Sequence, residues 1–206
     1  MKMNRLAKSH NRNDQTRKRI LEKADELFHR FGFYKTTVAD IARELEVSPA
    51  NVFKFYQSKH ALIEAVAQQN ITLSKKIITD SVNRGTSAEE KLEAFALSIY
   101  RFHKNKFRKE KEIYKLIVAA HDGRWPCVVE FKLFLGRILG EIIEEGIRTQ
   151  EFSPRDIVRT VDILSNSLAW ITSPLLMFDL EDVGVIKKVE AQIRFMHFAM
   201  IQSCSA

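Results

Sequence analysis

Asn51 and Lys54 stand three residues apart in the run SPANVFKFY, and each carries a head group suited to a base edge. A carboxamide can pair with adenine in two-point fashion, and an ammonium can reach guanine or a phosphate. A second constellation is the dipeptide His121-Asp122, with His103 and Asp162 elsewhere in the chain. All-helical metal phosphohydrolases bind their ions with one His, an HD pair and a distant Asp, so this set defines a metal-hydrolase alternative. The dipeptide abuts Gly123, Trp125 and Pro126, however, where it reads as a helix end, and no second motif supports it. The expectation is therefore no metal, no cofactor, no catalytic residue and no enzyme. Cys127 and Cys204 lie far apart without a CxxC or metal-ligand spacing, which fits reduced and inert thiols.

The elements that would hold Asn51 and Lys54 are helices. Only 7 Gly and 4 Pro interrupt 206 residues, and no sustained alternation of β-branched residues occurs, so an all-α fold of about nine helices is expected. The net charge of +7 is unevenly placed: residues 1–60 hold 13 Lys and Arg against 7 Asp and Glu, the rest 20 against 19. A basic first third on a near-neutral body implies a polyanionic partner for that third. No apolar run is long enough to span a membrane and no signal-peptide hydrophobic region follows the start, so a cytoplasmic location without membrane contact is expected.

Residues 1–13 lack periodicity and read as a flexible basic arm. From Asp14, the spacing of Ile20, Ala24, Leu27 and Phe31 gives one helix face, closed by Gly32 as a C′ glycine. Thr37 three residues before Asp40 forms a capping box for a short helix through Glu44 that buries Val38, Ile41 and Leu45. Ser48 then caps a helix with Pro49 at its first position, running to about Phe55. Ser58 caps another, which carries Leu62, Val66, Leu73 and Ile77 past residue 75. Two short helices joined by a tight turn in a basic segment have the layout of a helix-turn-helix over residues 14–60, with Ser48, Ala50, Asn51 and Lys54 on the exposed side of its second member.

The residues from Arg19 to Leu62, an Ile-Leu-x-x-Ala-x-x-Leu-Phe helix followed by FGFYKTTVADIARELEVSPANVFKFYQSKHAL, resemble the signature of the TetR family of transcriptional regulators. The resemblance implies a homodimeric, ligand-responsive repressor of a palindromic operator on double-stranded DNA. It implies that Thr37 and Lys59 bind backbone phosphate. Three departures alter the pattern. Glu46 occupies the turn position usually held by Gly and must adopt positive φ or another turn. Phe53 replaces the usual Tyr and lacks its hydroxyl to donate to phosphate, so it either stays in the DNA-binding set through its ring or simply packs. Phe55 replaces a more polar residue, and Tyr56 can supply the missing hydroxyl to phosphate. A helical interaction protein that does not bind DNA is the further alternative.

Residues 61–206 are expected to sense a ligand and to dimerise. Ser87 and Glu90 cap a helix from Ala88, and others follow near Glu110 to His121 and Pro126 to Glu145. Ser153 and Pro154 then begin a helix with the stripe Ile157, Val161, Leu164, Leu168 and Ile171, and the last helix carries Ile186, Val189, Ile193, Met196 and Met200. Both stripes suit either a bundle seam or the protomer's own core. In the family resembled, the last two helices pair with their symmetry mates as a four-helix interface. The abundance of aromatic residues suggests a largely apolar or aromatic effector, with Phe95, Ile99, Phe102, His103, Leu116, Trp125, Phe131, Phe134, Trp170 and Met177 as its lining and His103 as polar anchor.

Overall fold

A computed structural model describes residues 2–154, 156–176 and 184–201, with side chains from residue 12 onward; Met177 and Cys204 lie outside the described residues. Ten α-helices and one 3-10 turn make up the regular structure, with no strand among the described residues. The first four helices are α1 (Lys2–Phe31), α2 (Val38–Glu44), α3 (Pro49–Phe55) and α4 (Lys59–Val82). The remainder comprises α5 (Ala88–Lys109), α6 (Lys111–Asp122) and α7 (Pro126–Arg148), then α8 (Ile157–Ser167), α9 (Ala169–Thr172), the turn Pro174–Leu176 and α10 (Val185–Ile201).

The helix-turn-helix forms where local chemistry marks it. Thr37 Oγ1 accepts from the Asp40 amide at 3.1 Å while the Asp40 carboxylate accepts from the Thr37 amide at 2.9 Å, satisfying two orphan N–H groups of α2. Ser48 Oγ accepts from the Asn51 amide at 3.3 Å, with Pro49 at the first position of α3. Ile20, Ala24, Leu27 and Phe28 of α1 meet Ile41 and Ala42 of α2, Val52 of α3 and Leu62 and Val66 of α4 in a closed core. Phe31 is exposed and Phe28 takes its expected place inside. Helix α1 begins at Lys2 rather than Asp14, so residues 2–13 of the expected arm are helical backbone; no Gly or Pro stands there to stop it.

The turn from α2 to α3 takes the strained option. Glu46 sits at φ 57°, its amide donating to the Arg43 carbonyl at 3.1 Å and that of Val47 to the Ala42 carbonyl at 2.9 Å. This is the Schellman arrangement with glutamate where glycine is usual. Holding a β-carbon there costs about 1 to 3 kcal/mol, so Glu46→Gly should raise the melting temperature by roughly 2 to 4 °C once glycine's own entropy is offset. Calorimetry showing a fall would refute stored strain at this turn.

Further along, several expectations are corrected. Helix α8 begins at Ile157 with Asp156 as its cap, accepting from the Arg159 amide at 2.9 Å. Ser153 is used differently, its hydroxyl donating to the carbonyls of Met200 at 3.2 Å and Ile201 at 3.1 Å, which ties the loop to the end of α10. The expected single helix through Ile171 breaks at Leu168, giving α8 and α9. Along α4, Leu73 is exposed and Asn70 and Ser74 are buried instead, a polar pair on the inward face.

The two apolar stripes face the protomer's own core. Leu164, Leu168, Ile171, Val189, Ile193, Met196 and Met200 are buried within one chain, Ile157 and Val161 pack against that core, and only Ile186 of the ten is exposed. Most of both stripes is therefore already covered within one chain. The outer sides of the same helices carry the uncovered apolar residues, with Val158 81%, Phe195 72% and Phe198 56% exposed.

Candidate nucleic-acid interface and sensor cavity

Helix α3 is anchored by one residue and presents the others. Val52 is fully buried, whereas Ser48, Ala50, Phe53 and Lys54 are exposed and Asn51 is half-buried at their edge. Phe53 is not packed away, the alternative open to it, but exposed. Its ring is open to solvent and offers an apolar edge of the kind that meets a thymine methyl. Tyr56 departs from expectation in the other direction: the ring is buried under the Arg17 guanidinium at 4.7 Å, and its hydroxyl donates to the Arg17 carbonyl at 3.3 Å. Burial, only partly countered by Arg17, pushes that phenol above its ordinary pKa. Tyr56 is a bolt between α1 and the end of α3, not a surface donor. Arg17 also donates to the Phe55 carbonyl at 3.1 Å.

Thr37 is exposed at the start of α2, and Lys59 opens α4. Lys59 Nζ donates to the Tyr34 carbonyl at 2.9 Å, which holds the cation beside the α1–α2 loop that carries Thr37. An ammonium has three donors, and this contact uses one. Side-chain and backbone hydrogen bonds from Thr37 hold the Asp40 carboxyl below its usual pKa, so it stays ionised and keeps the cap intact.

The headpiece docks on the sensor through α1, which packs on α4 and α6. His29 Nε2 lies 2.6 Å from Glu110 Oε2, and Lys106 Nζ donates to the same oxygen at 2.5 Å. Burial alone would raise the Glu110 pKa, but the hydrogen bonds from Lys106 and His29 outweigh it and the net direction is down. Burial raises that of Asp25, against the pull of His29 and Lys106. A further contact joins His60 at the start of α4 to Trp125, edge to face at 5.3 Å.

Two adjoining spaces open among helices α4 to α9. A cleft of about 380 Å³ is lined by Phe95, His121, Phe131, Lys132, Leu139, Asn166, Leu168 and Thr172 among others. Behind it, sharing His121 and Phe131, lies an inner chamber with about 20 Å³ of free room, bounded by Asn70, Ser74, Phe102, His103, Ile117, Ala120 and Val128. Of the expected lining, Phe95, Phe102, His103 and Phe131 border these spaces. Ile99 and Leu116 do not, being fully buried core. Trp125 packs on His60, Phe134 lies at 5.7 Å from the Arg137 guanidinium, and Trp170 donates from Nε1 to Gln192 at 2.7 Å. Asn70, Ser74 and His121 were missed. The signal that could have found the first two is polarity at inward positions of α4.

Asp122 and Asp162 are exposed on separate elements, and among the described residues no group of three His, Cys, Asp or Glu could hold a metal ion. The Cys127 thiol is buried, which pushes its pKa up and disfavours the reactive thiolate. No described helix is long and apolar enough to cross a membrane.

Residues 20–66 match the model for bacterial regulatory proteins of the tetR family, and residues 88–193 match that for a tetracyclin repressor-like C-terminal domain. The probable HTH-type transcriptional regulator YttP of Bacillus subtilis is 25% identical over 139 residues, 66% of this chain and 67% of its own. The uncharacterized HTH-type transcriptional regulator YvkB of the same organism is 35% identical over 75 residues, 36% of this chain. The chain thus spans 34% of the length of YvkB. The fold is shared with a TetR-family transcriptional regulator of Pectobacterium atrosepticum at a TM-score of 0.70 and 14% identity, covering 92% of this chain and 96% of that one. With the second family model alone covering half its length, the chain belongs to the TetR family of bacterial regulatory proteins.

Proposed function

We propose that this protein is a ligand-responsive transcriptional repressor that binds a palindromic operator as a homodimer and is released by a small-molecule effector. The observation that carries this reading is α3 itself, a helix fixed by Val52 that turns Ser48, Ala50, Phe53 and Lys54 outward from a basic three-helix headpiece. In this reading Asn51 and Lys54 read base edges, Phe53 meets a thymine methyl or sugar, and Thr37 and Lys59 grip phosphate. Tyr56 takes no part. Two such headpieces must meet major grooves about 34 to 36 Å apart or another whole-turn spacing, which requires a partner chain across the outer faces of α8 and α10. Helix α4 transmits the signal: it carries Lys59 at the DNA end and Ser74 at the chamber, about 22 Å apart along one unbroken rod. A ligand that prefers the arrangement with misplaced headpieces lowers DNA affinity by its differential binding, typically about 1 to 3 kcal/mol.

The test is fluorescence anisotropy with duplexes from around the protein's own gene, over a range of salt concentrations. Lys59→Ala should weaken every duplex and reduce the log-log salt slope by about one, whereas Asn51→Ala should change preference among bases by about 1 to 3 kcal/mol at one position. Wild-type protein indifferent to all duplexes at low salt refutes the reading. So does an Asn51→Ala variant with unchanged base preference.

A further inference from the structure

Ser74 Oγ and both ring nitrogens of His103 are buried without a hydrogen-bond partner among the described residues. His103 is 2% exposed and Ser74 2% exposed, on α5 and α4 respectively, and both border the inner chamber. Buried polar atoms left unpaired cost roughly 1 to 3 kcal/mol each, so three around one cavity mark a place built to be completed. The other lining residues are apolar apart from Asn70, whose Nδ2 donates to the Val66 carbonyl at 3.0 Å, and His121.

We propose that the inner chamber receives the uncharged hydroxyl or carbonyl head of a ring-bearing organic ligand, paired by His103 and Ser74, while the ligand's apolar body fills the outer cleft. This rests on the functional reading above and names the chemistry of its effector. The size supports the division. About 20 Å³ suits one water-sized group, whereas about 380 Å³ falls within the span of small-molecule pockets. The aromatic walls supplied by Phe102 and Phe131 favour a flat body at the junction.

Charge selects against ions. Among the described residues no Lys, Arg, Asp or Glu lines the chamber, and Lys132, a cation bordering the outer cleft, sits on its wall and is exposed. Burial, with His121 adding to it, depresses the His103 pKa to about 3, so the imidazole stays neutral and offers one donor and one acceptor. His121 is likewise held neutral, at about 4, by burial and then by Lys132. A carboxylate or an ammonium entering this space would lose its hydration without a counter-charge. A hydroxyl, by contrast, donates to one ring nitrogen or accepts from the other, and Ser74 can rotate to supply whichever half is missing.

The experiment titrates the full chain with 2-naphthol, naphthalene and 2-naphthoate, three probes of one shape that differ at the head, read by calorimetry and by thermal shift. 2-Naphthol should bind at least tenfold more tightly than either other probe. Ser74→Ala and, separately, His103→Phe should erase most of that preference while leaving naphthalene affinity within about threefold. Circular dichroism and melting temperature establish that each variant folds, and Ser74→Ala keeps the test open should His103→Phe not fold. Tighter binding of 2-naphthoate, an absence of binding by 2-naphthol, or an unchanged preference in a folded Ser74→Ala variant overturns the inference. DNA binding measured on the same samples separates the two proposals. Operator binding with no head-group preference defeats only this one, and head-group preference without duplex binding defeats only the regulatory reading.

Discussion

Phe195→Glu combined with Phe198→Glu should yield a folded monomer whose operator affinity has fallen by about 10² to 10⁴-fold. The two rings are 72% and 56% exposed, three residues apart on the side of α10 opposite Val189, Ile193 and Met196. Val158 on α8 is likewise exposed, and the described residues leave all three uncovered. Pairing two such faces buries the rings, and a carboxylate placed there would have to be desolvated against apolar carbon. In the proposed dimer each headpiece reads one half-site, so losing the partner would remove the advantage of the second. Analytical ultracentrifugation reports mass and anisotropy reports affinity. A double variant that stays dimeric and keeps its affinity rejects this face. The same charge at Ile193, which is 1% exposed, should unfold the chain instead, so the two positions separate interface from core.

Acidification from about pH 7 to about pH 5 should remove roughly 2 kcal/mol of folding stability through His103 alone. The sign follows from where the protons go. The folded pKa is depressed to about 3 from an ordinary value of 6.5, so between those limits the unfolded chain takes up a proton that the folded one refuses. Stability is complete above the unfolded value and declines as pH falls through the window. His121, held at about 4, acts in the same direction, and Glu110 adds its loss at lower pH. Asp25, whose pKa is raised, opposes them. Urea unfolding of wild type and His103→Phe at both pH values isolates the contribution: the variant should show a shallower loss. Equal losses would mean that His103 is not kept neutral by its surroundings.

The headpiece was legible because its signals are local. Thr37 with Asp40 and Ser48 with Pro49 state where α2 and α3 begin, and each cap needs only residues within a few positions. The fate of Tyr56 was not, since its burial depends on Arg17, 39 residues away in the chain. The stripes of α8 and α10 were visible as stripes, yet periodicity identifies a buried face without saying whether the covering surface belongs to the same chain. Ser153 with Pro154 imitated a helix start, and the carbonyls of Met200 and Ile201 claimed the serine instead. The chamber was hidden by the same habit of reading. A search for apolar repeats along α4 prefers Leu73 and passes over Asn70 and Ser74, the positions where burial of polarity carries the information.

The knot of His29, Glu110 and Lys106 has a mechanical meaning. Among the described residues the headpiece is held to the body at two places, along α4, whose start also meets Trp125 through His60, and where α1 meets the α5–α6 corner. A rigid block pinned at two places keeps a single easy motion, a roll about the line between the pins. Lys106 stands within one helical turn of Phe102 and His103, which border the chamber, and Ser74 borders it from α4. In the regulator proposed above, the angle of that roll, rather than any free swing, is the quantity that an effector would set.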